Sequence, residues 1–122
     1  MRMEYDREEA AKLVPLLRSI TREIEERTRA IDALEHSLSA AQATAGAVGR
    51  ATQDTLVRQA ELAGQRRELR LAKQELARLG CALDQDHPLR VLIPGEHGGM
   101  GAGFAWSASD AEPLPIKTVS MR

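Results

Sequence analysis

Five side chains that bind metals or carry protons lie close together in the second half of the chain: Cys81, Asp84, Asp86, His87 and His97. Thiolate and imidazole are the ligands that zinc and similar cations favour, which makes Cys81, His87 and His97 the candidate metal ligands. Their number and spacing argue against that use. Structural zinc sites are built from paired, closely spaced ligands, whereas this segment offers one Cys and two separated His. The expectation is therefore a thiol buried behind a helix end, histidines in solvated loops, no metal and no other cofactor.

A glycine-rich run, 95–103, follows the apolar stretch Leu89 to Ile93. Such a loop after a strand can cradle phosphate, but only where a helix starts at the loop inside a βαβ unit. Here Phe104-Ala105-Trp106-Ser107 is strand-like and too little chain follows for that unit, so a mobile hairpin loop is expected. Catalysis has no constellation to support it. Ser107 and Ser109 have no nearby base on a rigid element, and His36 lies mid-helix, off the apolar seam, on a solvated face. Without an activated nucleophile or an acid–base pair the residues do not read as an enzyme.

Arg66, Arg67, Arg70, Lys73 and Arg78 make one stretch basic. From Arg50 to Leu79 there are seven basic and four acidic residues, against six basic and eight acidic from Asp6 to Gln42. Two such helices side by side neutralise each other, and the net charge of the whole chain is -1. That footprint argues against a nucleic-acid partner. No apolar run approaches the ~18–20 residues of a membrane span. Charge follows Met1 to Tyr5 at once, so no signal peptide is expected. The single Cys excludes an intramolecular disulfide, and a reduced, cytoplasmic setting is the default reading.

The elements that position these residues are dominated by a heptad run: Leu13, Leu17, Ile20, Ile24, Arg27, Ile31, Leu34, Leu38 and Ala41. Steps of three and four keep one apolar seam on a helix that must face another helix. Asp6-Arg7-Glu8-Glu9 is a capping-box start. Pro15 lacks the backbone donor and clashes with the carbonyl of Ala11, which predicts a bend or break between Ala11 and Val14. Glu23 with Arg27 and Glu25 with Arg29 are i,i+4 pairs in the favoured order. Gly46 and Gly49 mark a turn. A second helix then carries the seam Leu62, Gln65, Leu69, Ala72, Leu76 and Leu79, stopped by Gly80.

Folding back about Gly46 brings together residues whose numbers sum to about 92, so that Ile31 meets Leu62 and Ile24 meets Leu69. The polar seam residues Arg27 and Gln65 fall in the same layer, which reads as a register device. The expected architecture is a single, mainly α domain over 1–122. It has a first helix at 6–43 bent near Pro15, a second at 50–79 and a β/loop segment at 80–122. That last segment holds a small β-hairpin packed at the open end of a long antiparallel, coiled-coil-like helical hairpin, with Ile116 to Val119 as a further short strand or tail and Tyr5 joining the sheet edge.

Leu16, Leu56, Val57 and Leu71 lie off the intrachain seam, and a two-helix hairpin has few ways to cover them. The expected function is that of a structural or protein-interaction protein, a homodimer with a four-helix core, its further protein partner unknown. The alternative is a ligand- or metal-binding module using the segment Cys81 to Trp106.

Two segments carry a family resemblance. Tyr5-Asp6-Arg7-Glu8-Glu9-Ala10 with Leu13-Val14-Pro15-Leu16-Leu17-Arg18, and Leu79-Gly80-Cys81-Ala82-Leu83-Asp84 with the Leu89 to Pro94 run and Trp106, resemble the DUF2203 family of small prokaryotic proteins of unknown function. The resemblance implies a helical hairpin with a small β element and no particular activity. The end departs from the family pattern: the Trp-His pair and Gly-Phe expected after Asp110 are absent.

Overall fold

The computed structural model describes residues 4–45, 53–87, 89–95 and 99–116. The first helix, α1, spans Arg7–Lys12. Asp6 Oδ1 accepts from the Glu9 N–H at 2.8 Å, and Glu9 Oε1 accepts from the Asp6 N–H at 3.0 Å, closing the capping box. Helical bonding is interrupted at Leu13, whose N–H turns to the Ala10 carbonyl at 3.1 Å. It resumes with Leu17 donating to Leu13 at 2.8 Å. The interruption follows from Pro15, which has no N–H to give Ala11. In the first turn of the next helix, α2 (Val14–Ala45), that missing donor is harmless. The third helix, α3, spans Gln53–Arg78 and packs with α2 as the second arm of the hairpin. The glycines assigned to the turn, Gly46 and Gly49, lie outside the described residues.

α3 ends in a Schellman motif. Gly80 has φ 79°, its N–H reaches the Ala77 carbonyl at 2.9 Å, and the Cys81 N–H reaches the Leu76 carbonyl at 3.3 Å. The sequence places glycine where the left-handed turn needs it. The motif aims the chain directly into β1 (Ala82–Leu83), a strand not foreseen. β2 (Val91–Gly95), β3 (Gly99–Trp106) and β4 (Leu114–Pro115) complete an antiparallel four-stranded sheet in the order β1-β2-β3-β4.

One expectation needs correction here. The run 95–103 is not all loop, because Gly99, Gly101 and Gly103 belong to β3, while 96–98, with His97, lie outside the described residues. The reason is visible at Gly103. The register shifts between Ile93 and Gly95, and a Cβ at Gly103 would sit 1.9 Å from the Ile93 carbonyl oxygen and 2.6 Å from the Gly95 nitrogen. Glycine is there to let two backbones approach at a bulge. Among the described residues the last strand is Leu114–Pro115; of the expected segment Ile116 to Val119, all beyond Ile116 lies outside the described residues. Leu114–Pro115 lies at an edge of the sheet, where a proline is tolerated. At β2, beyond the short β1, Tyr5 forms a parallel bridge to Gly95 and its N–H donates to the Pro94 carbonyl at 3.0 Å.

Contacts divide the chain into two units, one of residues 23–72 and one of residues 1–22 with 73–122. In the first, Ile31, Leu38 and Leu62 form a buried cluster against which Leu34 and Leu69 pack. Each such side chain contributes roughly 1.5–3 kcal/mol when removed from water. In the second, Leu17, Val91, Ile93 and Trp106 are fully buried, with Ala10, Val14, Leu76, Cys81 and Phe104 around them. The Tyr5 hydroxyl donates to the Leu79 carbonyl at 2.7 Å, tying the N-terminal segment to the end of α3.

Candidate functional site

Trp106 ends β3 with its ring wholly buried, and its indole N–H needs an acceptor there. The Asp110 carbonyl supplies it at 3.1 Å. Asp110 is held by the turn that follows the strand. Its Oδ2 accepts from both the Ser107 N–H and the Ser107 hydroxyl at 3.1 Å, and its own N–H donates to the Ser107 carbonyl at 2.9 Å. On the other side Arg18 stacks its guanidinium 5.1 Å from the Trp106 ring centroid. It also donates to the carbonyls of Ala108 at 3.1 Å and Asp110 at 3.4 Å. The turn 107–110 is thus clamped between a buried ring and an arginine of α2.

Beside the clamped turn lies an open cleft of about 410 Å³. His87, Arg90, Ser107 and Asp110 give its lining polar groups; Ala105, the β4 residues Leu114 and Pro115, and Ile116 give it apolar ones. Arg90 follows a tight turn in which its N–H donates to the His87 carbonyl at 3.0 Å and Leu89 takes φ 69°. A left-handed leucine costs about 1–2 kcal/mol, and such strain collects at ligand sites. The Arg90 guanidinium stands 3.8 Å from Asp84 Oδ2, too long for a good hydrogen bond.

Among the described residues no three His, Cys, Asp or Glu side chains are placed to hold a metal ion. Cys81 is 5% exposed, and burial pushes its thiol up to about 11, so the thiolate a metal would need is disfavoured. Its Sγ lies 3.9 Å from the Leu79 carbonyl oxygen. His87 lies at the cleft, and His97 lies outside the described residues.

Arg27 and Gln65 do meet. Arg27 Nη1 donates to Gln65 Oε1 at 3.1 Å while its Nε donates to Glu23 Oε2 at 2.8 Å. That hydrogen bond with Glu23 raises the Arg27 pKa further above its usual value. Arg66 pairs with Glu35 across the two helices. Leu16, Leu56, Val57 and Leu71 are all exposed.

Sequence reasoning missed Arg18, Arg90 and Asp110 as site residues. Only Ser107-x-x-Asp110 left a local trace, as a side-chain-to-backbone turn signal. Arg18 and Arg90 meet the turn and the cleft through the tertiary fold, and no spacing in the sequence announces that.

No helix among the described residues is long and apolar enough to cross a membrane. No curated protein and no solved structure matches the chain. A family model does match residues 4–113, a span that holds the capping box, α1, α2 and α3, the Schellman stop and the Arg18–Trp106–Asp110 clamp, and the chain therefore belongs to the family described as Uncharacterized conserved protein (DUF2203).

Proposed function

We propose that the chain is a structural or interaction protein that pairs with a second copy of itself through the outer face of α3, giving a four-helix core. One observation carries this reading. Leu56, Val57, Ala60, Gly64 and Leu71 fall within an arc of roughly 100° at helical spacing, all exposed, with Arg67 the single charge on that arc between Leu56 and Leu71. Leu56 is 51% and Val57 48% exposed, far more apolar surface than a charged outer helix face normally presents. Gly64 has open space around it, so another helix can approach the backbone closely there. Leu16, exposed near the start of α2, adds to the apolar surface left uncovered.

Sedimentation equilibrium at micromolar concentration is expected to give twice the 13.4 kDa chain mass, and Leu71→Glu is expected to return the monomer. A wild-type monomer that Leu71→Glu leaves unchanged would overturn the reading.

A further inference from the structure

We infer that the cleft beside the 107–110 turn binds a small zwitterion of the α-amino-acid class with an apolar side chain, its carboxylate on Arg90 and its ammonium on Asp110. The inference stands apart from self-association and rests on how charge is left in the cleft. Arg90 and Asp110 both line it, yet among the described residues they make no ion pair with each other. Among the described residues Arg90 has one loose charged neighbour, Asp84 at 3.8 Å, and these residues leave most of its fork of donors uncommitted. Asp110 commits Oδ2 to Ser107, and Oδ1 accepts no hydrogen bond from the described residues.

A simple anion would satisfy Arg90 and face Asp110 unfavourably; a simple cation would do the reverse. A ligand with both charges a few ångströms apart satisfies both groups. Leu114 to Ile116, which also line the cleft, select for an apolar side chain. Leu114 is 53% exposed. The volume of about 410 Å³ accommodates a molecule of this size. The strained Leu89 turn that presents Arg90 gives the cleft a preorganised cation.

Titrating the full ¹⁵N-labelled chain with L-leucine is expected to shift the amides of Arg90, Ser107 and Asp110 saturably, with a Kd of about 1 mM, as befits so small a ligand. L-leucinamide, which lacks the carboxylate, and N-acetyl-L-leucine, which lacks the ammonium, are each expected to bind at least about tenfold more weakly, a loss typical of one desolvated charge contact. Arg90→Gln and Asp110→Asn should each weaken L-leucine by a similar factor. Leu114→Asp, at a 53% exposed position, should weaken L-leucine more than it weakens glycine. The inference is overturned if L-leucine gives no saturable shift, if N-acetyl-L-leucine or leucinamide binds as well as L-leucine, or if a folded Arg90→Gln binds as the wild type does. Far-UV circular dichroism checks the fold of each variant. Should Arg90→Gln not fold, Leu114→Asp decides: unchanged L-leucine affinity then counts against the site.

Discussion

Gly103 and Gly64 respond in opposite ways to one added methyl group. At Gly103 the new Cβ would lie 1.9 Å from a backbone oxygen, and neither strand can step aside without losing the bulge. Gly103→Ala is expected to destabilise by about 3 kcal/mol or more, the upper end for forced overpacking. At Gly64 a Cβ meets nothing within 4 Å, and alanine is the better helix former. In the monomeric Leu71→Glu background, Gly64→Ala is expected to stabilise by about 0.5–1 kcal/mol. Urea denaturation midpoints measure both, and a Gly64→Ala that stabilises this background but not the otherwise wild-type chain is the outcome expected if another helix approaches closely at Gly64.

Cys81 makes a pH prediction. Burial raises its thiol from the ordinary 9.0 to about 11. Below pH 9 the folded and unfolded thiols are both protonated and stability is at its full value. Between pH 9 and about 11 only the unfolded thiol ionises, so stability falls, by up to about 2–3 kcal/mol. Tyr5, raised chiefly by burial and then by the charges of Cys81 and Glu9, acts in the same direction at higher pH. Cys81→Ala should flatten the decline between pH 9 and 11 in urea melts, and an identical slope in the variant would count against it.

At the scale of the element, the layer of Arg27 and Gln65 is the point at which the seam of the hairpin changes character. Arg27 keeps its guanidinium half-buried by bonding to both Glu23 and Gln65, so its long stem lies on the seam while its head finds acceptors at the edge. In coiled coils a polar residue in the seam can define register at a cost in stability, and this is the role proposed for the layer. The double variant Arg27→Leu with Gln65→Leu is therefore expected to melt at a higher temperature and to show a broader distribution of species in light scattering. A lower melting temperature with one species would reduce the layer to an ordinary surface pair.

At the scale of the whole molecule, the proposed pairing through α3 would link stability to concentration. If folding of the paired state is coupled to association, mass action raises the melting temperature as chain concentration rises. A tenfold increase is expected to raise it measurably in the wild type and to leave Leu71→Glu unaffected. A wild-type melting temperature independent of concentration across the micromolar range would speak for a monomer.

The sequence alone determined the parts of this protein whose causes are local. Apolar residues at steps of three and four specify a helix with one seam, Asp6 and Glu9 specify its start, Gly80 its stop, and Pro15 the place where helical bonding fails. Each depends on residues within about one or two helical turns, and each stands in the structure close to where the spacing put it. The pairing of Arg27 with Gln65 was legible too, because an antiparallel hairpin maps sequence distance onto space by simple reflection. The sheet was only half legible. Glycines read as loop when taken one at a time, whereas at Gly103 the backbone of β2 comes so close that only glycine fits. The cleft was not legible at all. Arg90 on one turn, Asp110 on another and Leu114 on an edge strand become neighbours only after four short strands have paired, and nothing in the local sequence encodes a contact that the sheet itself creates.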